Sequence, residues 1–330
     1  MKILHVLLTR MPVPPPKYGG TERVLWALYL GQKQLGHEVK FMTKSSNTHP
    51  DALTFDPSKK LEAQVEGWAD IIHFHFLFEG DIQTPYVCTT HNQQLTPKTF
   101  PQNTIFLGKR HAERSGAQAF VYNGLFWDDY GPPNLDKSQN YIHFLANAKY
   151  RDKNLKDSVE IARKANKALH ILGSNRFSLK WKRNGKYQPY FYAGKDLTFH
   201  GMIGGEKKNA VIRDSQALIF PVLIHEAFGL AMIESLYLGC PVIGSHHGSV
   251  PELVPFECGV LSNNADLLID AINTQRFDPL YCQQHVVDNF NAEKMAQGYL
   301  EKYAQVIQGK VLNQHLPYLM NECQNLEWQQ

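Results

Sequence analysis

The stretch HEAFGLAMIESLYLGCPVI, residues 225–243, decides the fold class of this chain. It follows a short apolar run, passes through Gly229 and continues with helical spacing until Gly239. Glycine permits an unusual backbone turn before a helix and the left-handed residue that ends one. The stretch therefore predicts a strand, a loop that carries Glu226, and a helix with Glu234 about one turn inside it.

The same alternation of short apolar runs and helical stretches extends along the chain and predicts an α/β fold with parallel sheets. In the first half we expect a helix at Thr21–Leu35 and strands at Lys2–Leu8, Glu38–Thr43, Ile71–His75, Val87–Thr90 and Gln118–Tyr122. In the second half we expect helices at Leu155–Asn166 and Ala292–Ile307 and strands at Tyr141–Ala146, Ala168–Leu172, Leu197–His200 and Leu218–Phe220. The second series repeats the rhythm of the first, so two similar halves are predicted.

A polar, proline-broken stretch near residues 127–140 separates the two series and is predicted to be the linker. The predicted domains are residues 1–135 and residues 136–311. Residues 312–330 follow the last helix and carry Leu312, Leu316, Leu319 and Met320 at helical spacing. This spacing predicts a C-terminal helical segment that could return to the first domain.

Composition excludes several classes of protein and partner. With 330 residues, 43% of them hydrophobic and 20% charged, the chain is predicted to be globular, with neither coiled-coil nor disordered character. The formal net charge of +3 disfavours nucleic acid as a partner. The longest later apolar run, Ala217–Ile224, is far below the roughly 20 residues that span a bilayer, so any membrane contact is expected to be peripheral. Scattered cysteines and a short apolar start predict a cytoplasmic protein.

Two helix starts have the residue types of a phosphate or sugar site. The pair Gly19-Gly20 lets a phosphate approach backbone amides at a helix N-terminus, although a plain turn capped by Thr21 is the alternative. At the second start, amides can face a diphosphate while Glu226 and Glu234 accept hydrogen bonds from sugar or ribose hydroxyls. The alternative there is a surface acid and a glutamate on a solvated helical face.

The residues around the two glutamates resemble the signature of glycosyltransferase family 4. The similar segments are EAFGL at 226–230, IESL at 233–236 and GCPVI at 239–243, and further ones follow in the family's order: YGGTER at 18–23, GHEV at 36–39, DIIHFH at 70–75, TH at 90–91, FHG at 199–201 and PEL at 251–253. The resemblance covers about residues 1–310. It implies a retaining transferase of the GT-B fold, in which two Rossmann-like domains face each other across a cleft and a sugar passes from a nucleotide diphosphate sugar to an acceptor hydroxyl.

The resemblance also assigns roles by position. It implies that Glu226 contacts the donor sugar, that His91 lies near the acceptor, that Glu234 binds the ribose and that Lys153 binds the diphosphate. The other donor-binding positions that it implies are Gly20, Gly173, Ser174, Met202, Ala227, Phe228, Gly229 and Leu230. A single histidine is often structural, so that alternative stays open for His91.

One motif departs from the family's pattern. Asn147 and Ala148 stand where the family usually has Gly-Arg, so either Lys149 or Arg151 supplies the missing charge or the donor binds less tightly. No metal is expected, because no group of histidines and carboxylates has a closed spacing. No cofactor is expected either, since the nucleotide sugar is a substrate.

The expected acceptor is a sugar, a lipid-linked molecule or a small molecule, in glycan or glycoconjugate biosynthesis. A non-catalytic nucleotide-sugar-binding subunit of a transferase complex is the main alternative, and an epimerase or phosphorylase also stays open. A nicotinamide-dependent oxidoreductase is disfavoured, because the first strand–helix junction lacks GxGxxG. The basic and aromatic segment Lys180–Tyr187 could touch a membrane or an acidic acceptor, or form a solvated loop.

Overall fold

The computed structural model describes residues 1–17, 19–91, 98–136, 138–179, 189–319 and 326–329. These residues form two compact units, each made of two chain segments. Unit 1 is Met1–Phe126 with Asn289–Glu322, and unit 2 is Trp127–Asp288 with Cys323–Gln330. Within the described ranges, no helix is both long and apolar enough to cross a membrane.

Unit 1 contains a parallel sheet. Its elements up to residue 126 are β1 (Lys2–Val6), α1 (Gly20–Gln34), β2 (Glu38–Thr43), β3 (Ala52–Thr54), α2 (Glu62–Val65), β4 (Ile71–Phe74), β5 (Tyr86–Thr89), β6 (Lys98–Thr99), β7 (Thr104–Ile105) and α3 (Lys109–Glu113). The strand order is β3-β2-β1-β4-β5-β7, and all neighbours are parallel. The central strands are apolar runs because helices or loops cover both faces of such a sheet.

Unit 2 repeats this architecture. Its elements are β8 (Tyr141–Leu145), α4 (Leu155–Lys164), β9 (Ala168–Leu172), β10 (Phe177–Ser178), β11 (Tyr190–Phe191), β12 (Leu197–Gly201), α5 (Gly205–Arg213), β13 (Leu218–Phe220), α6 (Leu230–Tyr237), β14 (Val242–Gly244), α7 (Val250–Leu253), β15 (Gly259–Leu261), α8 (Ala265–Thr274) and α9 (Pro279–Asn289). The strand order is β12-β9-β8-β13-β14-β15, again parallel throughout. Side chains of α4 and α8 pack on β8 and β9 and form the core.

The chain then returns to unit 1 through α10 (Ala292–Ile307) and β16 (Tyr318–Leu319). Helix α10 packs so closely on α1 that a Cβ on Gly31 would lie 2.6 Å from the carbonyl oxygen of Ala292. Tyr299 and Tyr303 of α10 are fully buried. The sequence placed this helix in the second domain, residues 136–311, but its buried face completes the core of unit 1.

Most predicted helices and strands are present, with bounds that differ by at most two residues. At Gln118–Tyr122 no strand forms, and Phe120 makes only an isolated bridge to Phe106. Residues 312–319, predicted to be helical, instead end in β16, which pairs antiparallel with β6.

The side chain of Asn313 explains why the segment after α10 is not helical. Its amide accepts from the backbone of Gln118 and Ala119 and donates to the carbonyls of Gln102 and Thr104. These bonds hold the segment against unit 1, and the exposed Leu316 does not share a buried face with its apolar neighbours. Met320 lies outside the described residues.

Candidate functional site

Two turns of unit 2 meet where its parallel strands end. Strand β13 leads into the loop of Glu226, and a single helical turn, Arg151–Lys153, follows β8. The Asn154 side chain donates to the carbonyl of Pro221 at 2.9 Å, and the amide of Leu223 donates to the carbonyl of Asp152 at 2.8 Å. These bonds fix the turn of Lys153 beside the loop of Glu226, at the edge of the sheet where α/β proteins bind ligands.

Lys153 and Glu226 form an ion pair between Nζ and Oε2. Their side chains are 25% and 14% exposed, so both are within reach of solvent and of a ligand. The ammonium is a point charge suited to a phosphate, and the carboxylate is a strong acceptor for hydroxyl groups. The structure therefore brings together the two charged groups that the sequence predicted.

Helix α6 directs its N-terminus at the same loop. Gly229 precedes the helix with φ +92°, in the left-handed region, and a Cβ there would lie 2.6 Å from Cε of Met232 and 3.2 Å from Cγ of Glu226. The side chains of Ala227 and Phe228 are buried. The first amides of a helix have no partner within it and carry partial positive charge, which suits an anion.

A second glycine loop holds Glu226 from the other side. Gly248 has φ +61°, and a Cβ at this position would overlap the backbone of Glu226. The amide of Ser249 donates to the carbonyl of Glu226 at 2.8 Å. The position of the carboxylate is thus set by backbone contacts as well as by Lys153.

Glu234 lies inside the protein, five residues into α6 as expected, with only 7% of its surface exposed. Its Oε1 accepts a hydrogen bond of 2.6 Å from the hydroxyl of Tyr130 and pairs with Nζ of Lys208. The alternative of a solvated helical face is therefore wrong for Glu234. Lys208 was missed, because nothing in the sequence distinguishes this lysine of α5 from a surface lysine.

The predicted base-binding segments meet at the ends of β9 and β12. The amide of Gly201 donates to the carbonyl of Ser174 at 3.1 Å. The hydroxyl of Ser174 accepts from the amide of Ala148 at 2.6 Å. Gly173 has φ +93°, and a Cβ there would come within 2.8 Å of a backbone carbonyl. Met202, which follows β12, is 42% exposed.

Ala148 stands at the position where the family usually has an arginine. Its methyl group is 2% exposed, and its amide is bound to Ser174. Lys149 is half-buried and Arg151 is exposed. Both remain candidates for the missing positive charge.

In unit 1, Gly20 is the first residue of α1. A Cβ on the preceding Gly19 would lie 2.8 Å from Cβ of Pro15, so the glycine allows the loop to pack closely. The alternative that Thr21 caps the helix is wrong, because the helix begins before it and has no side-chain cap. Tyr18 lies outside the described residues, as does Lys180–Tyr187.

His91 follows β5 and ends a row of imidazoles in unit 1. Its Nε2 lies 2.8 Å from Nδ1 of His75, whose Nε2 lies 3.1 Å from Nδ1 of His5. The Nε2 of His5 lies 2.7 Å from Oε1 of Gln32. Burial lowers the pKa of both His5 and His91 from 6.5 to about 4. Burial, reinforced by neighbouring imidazoles, also holds the pKa of His75 well below its ordinary value.

The sequence did not predict that these histidines would cluster. Ring nitrogens of His5, His73 and His75 lie within 4.8 Å of one another, close enough to be considered as ligands of a metal ion. The group holds neither a thiolate nor a carboxylate to balance a divalent charge. Both nitrogens of His73 are already engaged, at 2.7 Å, by the hydroxyls of Tyr303 and Thr89. Hydrogen bonding therefore accounts for this cluster.

Comparisons with known proteins agree with this architecture. Residues 139–275, all within unit 2, match the family described as Glycosyl transferases group 1. No curated protein matches the chain. Among solved structures, AviGT4, a glycosyltransferase involved in avilamycin A biosynthesis, is 17% identical with a TM-score of 0.75, covering 94% of this chain and 99% of that one.

Two further structures show the same likeness. Sucrose-phosphate synthase from Thermosynechococcus elongatus is 17% identical with a TM-score of 0.68, covering 94% of this chain and 100% of its own. Anabaena HepE, solved in complex with UDP-glucose, is 14% identical with a TM-score of 0.66, covering 92% of this chain and 100% of its own. The chain therefore has the GT-B glycosyltransferase fold, and its residues 139–275 match the glycosyl transferases group 1 family.

Proposed function

We propose that this protein transfers a sugar from a nucleoside diphosphate sugar to an acceptor hydroxyl, with retention of configuration at the anomeric carbon. One observation carries the proposal: Lys153, Glu226 and the N-terminus of α6 meet at the ends of parallel strands, inside the segment that matches the family. A sugar diphosphate is bound by a cation and helix N-terminal amides at its phosphates, and by a carboxylate that accepts hydrogen bonds from its sugar hydroxyls.

In this proposal the donor binds to unit 2. The diphosphate lies against Lys153 and the first amides of α6, and replaces Glu226 as the partner of the ammonium. Glu226 is then free to accept hydrogen bonds from the sugar hydroxyls, with the backbone of Ala227 to Leu230 alongside. Glu234 binds the ribose, and the segments at Gly173, Ser174 and Met202 border the base. A structural relative, HepE, was solved with UDP-glucose, which makes uridine nucleotides the first probes.

The reaction exchanges one bond to the anomeric carbon for another. The bond between that carbon and the phosphate oxygen breaks, and the acceptor oxygen bonds to the same face of an oxocarbenium-like sugar. The acceptor proton passes to the departing phosphate oxygen. The protein holds the reactants in place and stabilises the charge that develops on the diphosphate, which are the two largest contributions available to it.

The positive groups that stabilise the leaving diphosphate come from this chain, so we propose that transfer requires no metal ion or cofactor. Lys153 supplies one charge, α6 supplies partial charges, and Lys149 or Arg151 supplies the charge that Ala148 does not. His91 serves the acceptor, which is a sugar, a lipid-linked molecule or a small molecule of glycan or glycoconjugate biosynthesis.

The first test is binding. Unfolding temperature is measured with a panel of nucleoside diphosphates and their sugars, for the wild type and for Glu234→Ala, since a ligand that binds only the folded state raises it. We expect one nucleotide to raise it and the variant to lose the response. The selected donor then enters transfer assays with EDTA present, and proton NMR reads the anomeric configuration of the product. Inversion, or a strict need for a divalent ion, would contradict the proposed mechanism.

A second candidate function is a nucleotide-sugar-binding subunit without activity of its own. The buried methyl group of Ala148 favours it, because it stands where the family has a phosphate-binding arginine. Such a subunit would show the same nucleotide-dependent shift but would neither hydrolyse the donor nor transfer its sugar. Slow donor hydrolysis by the purified chain, abolished in Glu226→Ala, would remove this candidate.

A further inference from the structure

A continuous row of hydrogen bonds connects the interior of unit 1 to His91. It begins at the amide of Gln32 on α1 and passes through His5 and His75. Gln32 and His5 have no exposed surface, and His75 is 5% exposed. His91 at the far end is half-buried, and the described residues supply no hydrogen-bond partner for its Nδ1. The row therefore ends in one ring nitrogen, Nδ1 of His91, that has no hydrogen-bond partner among the described residues.

The amide of Gln32 determines the direction of this row. Its Oε1, which can only accept, lies 2.7 Å from Nε2 of His5, so that nitrogen carries the proton. A neutral imidazole has one protonated nitrogen, so Nδ1 of His5 must accept from Nε2 of His75, at 3.1 Å. By the same rule Nδ1 of His75 accepts from Nε2 of His91, at 2.8 Å. The Nδ1 of His91 is then left with a lone pair.

A second row of hydrogen bonds begins at the other end of this amide. The Nε2 of Gln32 donates to the hydroxyl of Tyr303 at 3.4 Å. That hydroxyl lies 2.7 Å from Nδ1 of His73, so it can donate a hydrogen bond to this nitrogen while His73 donates from Nε2 to Thr89 at 2.7 Å. Both ends of a fully buried amide are thereby satisfied, as burial requires. Reversing the amide would reverse every proton in both rows.

The rings in these rows are neutral at neutral pH. Burial lowers the pKa of His5 and of His91 to about 4, and holds the pKa of His73 and His75 well below the ordinary value. The group formed by the ring nitrogens of His5, His73 and His75 contains no carboxylate among the described residues. The order of protons therefore depends on hydrogen bonding and not on a charged neighbour.

We propose that Gln32, acting through His5 and His75, fixes the proton of His91 on Nε2 and so presents Nδ1 as an acceptor for a hydroxyl group of a sugar substrate. Gln32 is a positioning residue, since it reaches the substrate only through two other side chains. The role for the hydroxyl rests on the proposed transferase function. The position of the proton does not, and it can be measured without any substrate.

The decisive measurement is nitrogen-15 NMR of the wild-type protein labelled at its histidine rings. His91→Asn identifies the resonances of His91 by their disappearance. We expect a pyrrole-type resonance for Nε2 and a pyridine-type resonance for Nδ1 of His91 at pH 7. The opposite assignment would overturn the proposal, whatever activity the protein has.

Variants of Gln32 test its control over His91. Gln32→Met keeps the size of the side chain but leaves Nε2–H of His5 without an acceptor, so the row should reverse and the pyridine-type resonance should move to Nε2 of His91. Gln32→Glu restores an accepting oxygen and should restore the wild-type order. Thr89→Val is the matched control, because it removes a hydrogen bond of the same length, 2.7 Å, from His73 and should leave His91 unchanged. A Gln32→Met protein with the wild-type order would exclude control by Gln32.

Activity separates this proposal from the proposed function. With the order reversed, Gln32→Met should lower kcat at least about tenfold and leave KM for the donor unchanged, since Gln32 belongs to unit 1 and misplacing a substrate group commonly costs that much or more. Wild-type protein with the expected resonances but no transfer would contradict only the proposed function. Transfer by wild-type protein whose His91 carries its proton on Nδ1 would contradict only the role of Gln32.

Discussion

The two units share one architecture, but the polar groups beside their sheets differ in charge. In unit 1, neutral groups face one another: four histidines, Gln32 and tyrosine hydroxyls linked by hydrogen bonds. In unit 2, opposite charges face one another: Lys153 with Glu226, and Lys208 with Glu234. The unit 1 groups have no charged partner among the described residues, whereas the four charged groups of unit 2 form two ion pairs.

The difference shows how each kind of group can be kept inside a protein. A neutral ring needs only hydrogen-bond partners when it is buried, but a charge needs an opposite charge as well. Imidazoles therefore form a row that sets proton positions, while paired charges form a site that a charged ligand can enter by exchanging partners. The following experiments break one side of this comparison at a time.

The largest effect is expected from Glu226→Ala. Loss of the carboxylate should reduce sugar transfer by about a thousandfold or more, because the groups that stabilise the transition state act together. Stability should change little, since Lys153 is 25% exposed and can turn to solvent. Initial rates and urea unfolding measure the two effects.

Glu160→Ala is the control, because Glu160 is an exposed glutamate of α4 in the same unit. It should retain wild-type transfer. Equal rates for the two variants would remove Glu226 from the active site.

Breaking the buried ion pair between Lys208 and Glu234 should lower the free energy of unfolding more than breaking the partly exposed pair between Lys153 and Glu226. Lys208→Met leaves Glu234 without its counter-ion in a site where both side chains are 10% exposed or less, and should destabilise the protein by about 3–5 kcal/mol. The double variant Lys208→Met/Glu234→Gln should recover much of this loss, since it removes both charges. Urea unfolding measures each variant.

The matched comparison is Lys33→Met in unit 1. Lys33 pairs with Asp51 at the surface, with side chains 41% and 25% exposed, so its loss should cost less than about 1 kcal/mol. Similar losses for the two lysine variants would show that Lys208 and Glu234 are not held as a buried ion pair.

The histidines of unit 1 predict a dependence of stability on pH. Burial lowers the pKa of His5 and His91 from 6.5 to about 4, so the unfolded chain binds protons that the folded chain excludes between these values. Stability should be greatest above about pH 6.5 and fall toward pH 4, by up to about 1.4 kcal/mol per pH unit for each such histidine. Urea midpoints from pH 7 down to pH 4.5 measure the slope.

His75→Asn should flatten this profile, because burial also holds the pKa of His75 well below its ordinary value. His315→Asn, at an exposed position, should leave the profile as it is. A wild-type profile that is level from pH 7 to pH 4.5 would contradict the burial of neutral rings.

The smallest effects compare two glycines with left-handed backbone. Gly36→Ala should cost about 1 kcal/mol from strain alone, since φ is +82° and nothing lies within 4 Å. Gly248→Ala adds an overlap with the backbone of Glu226 to the same strain, so it should cost more and also weaken donor binding. Thermal unfolding with and without the nucleotide measures the stability and the donor binding of both variants. Equal losses of stability would show that the Gly248 loop can shift to accommodate the added methyl group.

Much of the architecture could be predicted from periodicity. Strand β2 and strand β13 lie where the apolar runs placed them, and α6 begins at Leu230, directly after the glycine. The C-terminal segment could not be predicted in this way, because apolar residues at helical spacing do not show which surface they will meet. Asn313, whose amide bonds to four backbone groups of unit 1, determines that part of the chain.

Some residues of the candidate site could likewise be predicted from the sequence, and others could not. Lys153, Glu226 and Glu234 were found from local motifs, because short loops between strands and helices fix their positions. Lys208 was not found, since it lies 26 residues before Glu234 and reaches it only when the fold brings α5 and α6 together. The parallel pairing of β1 with β4 places His5 opposite His73. The sequence does not indicate that these two strands are neighbours.

The sequence by itself determined two α/β halves and the glycine-led helix start with its glutamates, because these features depend on neighbours a few residues apart. Tertiary structure alone decided that α10 completes unit 1, with Tyr303 lying 230 residues from His73 in the chain and 2.7 Å from it in space. It also decided which ring nitrogen of each histidine meets a donor or an acceptor. Hydrogen bonds and ion pairs between distant segments form only after the chain has packed, so no local pattern can specify them.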